Sequence, residues 1–321
     1  MKLFKVIATT MSLLLLGACQ NTTPPQTTSQ NRVKLGVLQL VEHPALDDIY
    51  KGIKDELQKQ GIQATYDFYN AQGDQSNLMT MSEKVVSGKP DILVGITTPA
   101  TLALRNQTTQ IPIVMAGITY PVDAGLVDSE SKPNGNVTGV SDRISIKKQL
   151  ELMKQVLPNL KVVGVLYSLN EDNSVKQVEE TKIAAQELGI ELKLGGVVSQ
   201  NDVQLTTETI AGQVDAIFVP IDNTIASAMS IVTQVTDSKQ IAVFPSASTM
   251  VKDGGLMGYG IDQYEIGVKT AKMIISVLKG EKPENTPVQL MDDAKVYINL
   301  EKAKQLNITI PDNILKDAIT Q

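Results

Sequence analysis

His43 is the only imidazole and Cys19 the only thiol in a sequence of 321 residues that has no Trp. A Cys/His zinc site draws three or four ligands from those two residue types, so none can be built here. One cysteine closes no intramolecular disulfide. Neither a metal nor a cofactor is expected. The motifs of common chemistries are also missing. Gly-x-Ser-x-Gly is absent, and Ser87-Gly88-Lys89 lacks both the preceding glycine and the following Ser or Thr of a phosphate-binding loop. Gly258-Tyr259-Gly260 lacks the third glycine of a dinucleotide fingerprint. His43, between Glu42 and Pro44, has no nucleophile at a motif position and is expected to line a ligand site, not to catalyse. The chain is not expected to be an enzyme.

What the sequence does offer is hydrogen-bonding chemistry. In Thr97-Thr98-Pro99-Ala100, Thr98 suits an N-cap and Pro99 the first helical position. Free N–H groups and the positive end of a helix dipole would then be available to a carboxylate. The plainer alternative is a capped helix with no ligand. Asp222 stands 124 residues after Thr98 and offers a carboxylate to an ammonium group, or else caps a helix starting near Asn223. Donors from one side and an acceptor from the other would form a clamp for a free α-amino acid. Tyr120, Asn173, Ser174 and Ser246 complete the candidates, with His43, Thr97, Ala100 and Asn223. Sugar sites stack pyranose faces on aromatic rings, Trp best, and this chain carries four Phe, eight Tyr and no Trp.

These residues need elements to hold them. Short apolar runs alternate with amphipathic stretches from Val33 onward, the pattern of βα units on a parallel sheet. Val33-Lys34-Leu35-Gly36-Val37-Leu38, Asp91-Ile92-Leu93-Val94 and Ile111-Pro112-Ile113-Val114-Met115 read as strands. Ile49, Ile53 and Leu57 form a helical stripe that Gly61 ends. The plan then repeats: Gly36 to Gly164, Gly61 to Gly189 and Asp74 to Asp202 are each 128 residues apart. Gly95-Ile96-Thr97-Thr98-Pro99-Ala100 corresponds to the second-half run 124 residues on, and Ile111 to Ile241 at 130. Two similarly wound α/β lobes are expected, with turn formers at Pro133-Asn134-Gly135-Asn136 separating them. The tail must cross back, so lobe 1 is assigned 33–142 plus 260–285 and lobe 2 143–259 plus 286–321, joined by a multi-crossing hinge. Ligands of open parallel sheets bind beyond the carboxyl ends of the strands, which is where the candidate residues fall.

The N-terminus adds a location. Lys2 and Lys5 precede an apolar run ending in Leu16-Gly17-Ala18-Cys19, a secretory signal over residues 1–18 that is too short for a stable span. The last four residues resemble the lipobox of bacterial lipoproteins, whose cysteine is acylated, including with palmitate, and becomes the mature terminus. Residues 20–31 hold nothing that would anchor in a core, so 19–31 reads as a flexible tether. The expected place is the extracytoplasmic face of a bacterial membrane, with Cys19 as the lipid anchor. A formal charge of −6 offers no basic stripe for nucleic acid. A monomer is expected.

Six runs resemble one family: Val41-Glu42-His43-Pro44-Ala45-Leu46-Asp47, Asn70-Ala71-Gln72-Gly73-Asp74, Thr98-Pro99-Ala100, Pro121-Val122-Asp123-Ala124-Gly125-Leu126-Val127, Gly135-Asn136-Val137-Thr138-Gly139-Val140-Ser141 and Val219-Pro220-Ile221-Asp222-Asn223-Thr224. In this order they are similar to the ABC-transporter substrate-binding lipoproteins of the tryptophan- and tyrosine-binding group. The resemblance implies a type I periplasmic-binding-protein fold with two Rossmann-like lobes and delivery of a small solute to a permease driven by a separate ATPase subunit. It also implies Thr98 and Ala100 on the carboxylate side and Asn173, Ser174, Asp222 and Asn223 on the second lobe. Tyr120 stands where the family often has Asp, and Asp123 where it usually has Gly. The expected ligand is an aromatic or apolar L-amino acid. A sugar or nucleoside carrier, or a sensor reporting to a membrane partner, shares the same physical features.

Overall fold

A computed structural model of the chain describes residues 32–321, so the signal, the tether and Cys19 lie outside the described residues. The first half runs β1 (Val33–Gln39), α1 (Pro44–Lys59), β2 (Ala64–Asn70), α2 (Gln75–Ser87), β3 (Ile92–Ile96), α3 (Thr98–Gln107), β4 (Ile113–Ala116) and β5 (Val137–Ser141). The second runs α4 (Ile146–Val156), β6 (Val162–Ser168), α5 (Asp172–Leu188), β7 (Glu191–Val197), α6 (Val203–Ala211), β8 (Ala216–Val219), α7 (Asn223–Ser227), α8 (Met229–Ser238), β9 (Ala242–Pro245), α9 (Ser248–Lys252) and β10 (Met257–Gly260). The tail adds α10 (Gln263–Leu278), β11 (Gln289–Leu290), β12 (Lys295–Ile298), α11 (Leu300–Gln305), α12 (Asp312–Leu315) and β13 (Ile319–Thr320).

Two parallel sheets carry the repeat. The first has the order β11-β5-β4-β3-β1-β2 and the second β7-β6-β8-β9, so the order β2-β1-β3-β4 recurs as β7-β6-β8-β9. Register follows the sequence offsets: Leu35 pairs with Ile92, and Val163, 128 residues on, pairs with Ala216, 124 residues on. Helices cover the faces of each sheet, and strands β3, β4, β8 and β9 are buried throughout. Their unbroken apolar runs reflect burial on both faces. Gly61 and Gly189 take φ values of 75° and 67°, ending α1 and α5 in the left-handed conformation that lacks a steric penalty only for glycine.

The tail divides between the lobes. Helix α10 starts at Asp262, whose carboxylate accepts from the N–H groups of Tyr264 and Glu265, and it packs along α1. Gly52 and Gly267 face each other there. A Cβ on either would collide with backbone of the opposite helix, which is why the two axes come so close. β12 pairs antiparallel with β10 and parallel with β13 in a small sheet, whose Met257 and Ile298 share the apolar core of the second lobe.

Two boundaries differ from those expected. Gln289 and Leu290 pair with Val140 and Ser141 of the first sheet, and Val288 and Met291 are buried in its core, so the chain leaves lobe 1 after Met291, not after 285. The turn at Pro133-Asn134-Gly135-Asn136 does not separate the lobes either, because β5 follows it in the first sheet. The connections between lobes run from β5 to α4, from β10 to α10 and from β11 to β12.

Candidate ligand-binding site

The carboxyl ends of both sheets face one another across a cleft. A cavity of about 480 Å³ of atom-free space, partly continuous with solvent, lies between them. Lobe 1 contributes His43, Thr98, Thr119 and Asp142 over Ala45, Leu46 and Ile49; lobe 2 contributes Asn173, Asp222 and Asn223 over Ile221, Ala226 and Met250. Polar groups thus occupy part of the wall, and aliphatic and methionine side chains the rest.

The donors are backbone. Helix α3 begins at Thr98, and Thr97 is the residue before it, with no side-chain cap. Thr97 therefore takes the cap position expected of Thr98. Its φ of 89° and ψ of 159° are a conformation essentially reserved for glycine, and a β-branched residue there is strained. Thr97 is held by its own carbonyl, which accepts from the Thr101 N–H at 3.0 Å and the Thr101 hydroxyl at 2.8 Å. Among the described residues, the N–H groups of Thr98 and Ala100 find no protein acceptor, as the first turn of a helix dictates. Thr98 lines the cavity. Ala100 packs its methyl in the lobe 1 core, and neither it nor Thr97 lines the cavity.

Asp222 caps α7. Its Oδ1 accepts from the Ile225 N–H at 2.8 Å and its Oδ2 from the Ser168 N–H at 2.5 Å, so both oxygens are committed to backbone. Asp222 thus takes the capping role that the sequence offered as its alternative, and it also lines the cavity. Burial, then the neighbouring Glu171 charge, pushes its carboxyl up, and the N–H groups of Ile225 and Ser168 oppose the shift. Glu171 is a residue that sequence reasoning missed. Its carboxylate accepts from the Asn223 N–H and side-chain amide and from the N–H and hydroxyl of Thr224.

Asp142 was missed as well. It directly follows β5, lines the cavity and is 4% exposed, and its Oδ1 has no hydrogen-bond partner among the described residues. Burial pushes its carboxyl up to about 6, with Thr119 and its own backbone N–H pulling the other way. Asn173 faces the same cavity from lobe 2. Its Nδ2 donates to the Ile221 carbonyl at 2.9 Å, leaving Oδ1 buried and unpaired.

The remaining candidates divide. His43 and Asn223 meet across the cleft with Nε2 and Oδ1 3.3 Å apart, and burial lowers the His43 value to about 4, so the imidazole is neutral. Ser174 is buried behind the wall, its hydroxyl 3.5 Å from the Ile221 carbonyl. Ser246 joins β9 to α4, its hydroxyl within 3.0 Å of Gln149 Oε1 and 2.9 Å of the Val219 carbonyl. Neither serine lines the cavity. Tyr120 does not line it either; its hydroxyl donates to Glu180 Oε2 at 2.7 Å near the cleft mouth. Beside it Lys176 pairs with Asp123 at 3.0 Å. These contacts join the lobes and describe a closed cleft.

Two α/β lobes of repeated topology, joined by several crossings and closed over a polar cavity, define a solute-binding protein of the type I periplasmic-binding-protein fold. Residues 34–321 match the family described as ABC transporter substrate binding protein, and the chain belongs to that family. Its members are extracytoplasmic binding proteins and not enzymes. The chain is 37% identical over 287 residues to a tyrosine-binding protein of Clostridioides difficile, covering 88% of this chain and 83% of that one. It is 47% identical to a Streptococcus pneumoniae ABC domain solved in complex with L-Trp, covering 90% and 99% of the two chains with a TM-score of 0.88. Against a ligand-free, open substrate-binding protein of Clostridium difficile, 35% identical with the same coverage, the TM-score is 0.68. The higher score against the ligand-bound relative agrees with the interlobe contacts. No helix among the described residues is long and apolar enough to cross a membrane.

Proposed function

We propose that this protein captures a free L-α-amino acid with an aromatic or branched apolar side chain between its lobes and delivers it to an ABC permease. The observation that carries the reading is the cavity wall. The Thr98 N–H at the start of α3 suits a carboxylate, unpaired acceptors from both lobes suit an ammonium group, and Leu46, Ile49 and Met250 suit an apolar side chain. The tyrosine-binding relative and the L-Trp complex support the same ligand class. A ligand touching both lobes stabilises the closed form by its differential affinity, and the closed, loaded form is the one a permease would read.

The anchor belongs to the same proposal. Cys19, acylated after removal of residues 1–18, would hold the binding lobes beside the permease on the outer face of the membrane. Replacing Cys19 with Ala should release the protein from membranes and remove the acyl mass.

Thermal unfolding of the protein against single amino acids, dipeptides, sugars and nucleosides tests the ligand class. A ligand at a hundred times its Kd stabilises by about 2.7 kcal/mol, which is readily seen. Tyrosine or tryptophan is expected to shift the melting temperature. A shift with a sugar and with no amino acid would reject the reading. Uptake of the bound amino acid by cells should fall when the protein is removed; unchanged uptake would favour a sensor.

A further inference from the structure

We infer that Asp142 receives the α-ammonium group of the ligand, together with Asn173 from the opposite lobe, and that this ion pairing is what allows the cleft to close. The inference rests on the amino-acid reading above and assigns the charge recognition within it.

The cavity contains two buried acceptors without partners, Asp142 Oδ1 on lobe 1 and Asn173 Oδ1 on lobe 2. Asp142 and Asn173 are 4% and 3% exposed, so solvent does not satisfy them in the closed form. A buried acceptor left unpaired costs free energy, and a buried unpaired charge costs much more. One group that reaches both across the shared cavity must donate at least twice, and positive charge matches a carboxylate. An ammonium group has three N–H donors and meets both conditions. A ligand hydroxyl would satisfy Asn173 yet leave the Asp142 charge uncompensated.

The other acidic groups near the cavity are already engaged. Asp222 gives both oxygens to backbone N–H groups, and Glu171 binds Asn223 and Thr224. His43 is neutral and faces Asn223. No basic side chain lines the cavity among the described residues. Asp142 therefore has no internal counter-charge at the cavity wall. Its position adds the second half of the inference: it stands where the chain leaves β5 for lobe 2, so closing over an empty cavity buries its charge against nothing. The ligand removes that penalty, which is a differential affinity for the closed form.

Isothermal titration of the full-length protein and an Asp142→Asn variant tests this, with tyrosine, tryptophan and their desamino counterparts, hydroxyphenylpropanoate and indolepropanoate. The wild type is expected to prefer the amino acids by about 100-fold, in the range of a buried charged hydrogen bond. Asp142→Asn should lose about 30-fold or more toward the amino acids and bind the desamino acids as well or better, so that the preference collapses. Small-angle scattering of the unliganded proteins should find Asp142→Asn more compact than wild type. A folded variant that keeps the preference overturns the inference. Should the variant fail to fold, the wild type decides: equal affinity for amino and desamino acids overturns it, and the 100-fold preference with an Asn173→Ala loss of about tenfold supports it. A wild type that binds neither kind of acid rejects the amino-acid reading itself, a distinguishable result.

Discussion

Tyr120 and Glu180 hold the mouth of the cleft shut: the phenol of one lobe donates to the carboxylate of the other at 2.7 Å, while the Lys176–Asp123 pair sits beside them at 3.0 Å. Both contacts join the two lobes and are made only when the cleft is closed. They contribute to affinity without touching the ligand, by stabilising the state that holds it.

Tyr120→Phe should therefore weaken ligand binding by about 5- to 30-fold, the effect of losing one hydrogen bond to a charged acceptor. The loss should appear as faster dissociation, since closure follows encounter. Lys176→Ala removes an exposed pair and should cost a few-fold at most, with a salt dependence that Tyr120→Phe lacks. Stopped-flow dissociation rates check both. An unchanged rate for Tyr120→Phe would mean the contact does not restrain opening.

Asp222→Asn is expected to act on stability. An amide offers one acceptor where the carboxylate serves two N–H groups, those of Ile225 and Ser168. Losing the cap and one of these bonds should destabilise the unliganded protein by about 1–3 kcal/mol, seen in denaturant or thermal unfolding. The preference for amino over desamino acids should survive. Its disappearance in a stable variant would return the ammonium role to Asp222.

Thr97→Gly should break the usual rule that glycine destabilises. The conformation at Thr97, with φ at 89°, costs a non-glycine residue about 1–3 kcal/mol, whereas glycine adds about 0.5–1 kcal/mol of chain entropy. Unfolding of the unliganded variant should report a stability equal to wild type or about 1 kcal/mol higher. A loss larger than that would show that Thr97 is not strained. The next residue, Thr98, starts α3 and lines the cavity.

The spacing of the halves is legible in the sequence. Offsets of 128, 124 and 130 residues reappear as the pairing partners Leu35–Ile92 with Val163–Ala216, and Leu93–Ile113 with Ile217–Val243. Periodicity determines such features, because each strand must present apolar side chains to both layers. Thr98, Asn173, Asp222 and Asn223 were found through the strand-end rule and do line the cavity. Asp142 obeys the same rule, standing just past Ser141 at the end of β5. The sequence does not reveal it because Val137–Ser141, with a Thr and a Gly inside a short run, lacks a plain strand signature. The partners of Asp222 were not legible. Whether a carboxylate faces a ligand or two backbone N–H groups depends on how β6 and α7 meet, which spacing along the chain does not encode.

His43 makes binding pH-dependent, with a sign that follows from its burial. In the closed form desolvation lowers its value to about 4, against a hydrogen bond to Asn223 and the charge of Asp47 that favour protonation. Asp142 and Asp222 also line its cavity. Opening the cleft separates His43 from Asn223 and returns the imidazole to water, where its value is about 6.5. The closed form is thus favoured fully above pH 6.5 and loses that advantage as pH falls toward 4, because the open form takes up the proton. Each pH unit in this window should weaken amino-acid binding by up to about tenfold, and the slope should level off near pH 4. Asp142 has the opposite effect on an empty cleft, since protonation relieves its unpaired charge. The ligand ammonium, by pairing with Asp142, favours its ionised form. Titration calorimetry between pH 4.5 and 7.5 should give the slope for wild type and a nearly flat profile for His43→Gln, whose amide can still face Asn223. An equally steep profile in His43→Gln would assign the linkage to another group.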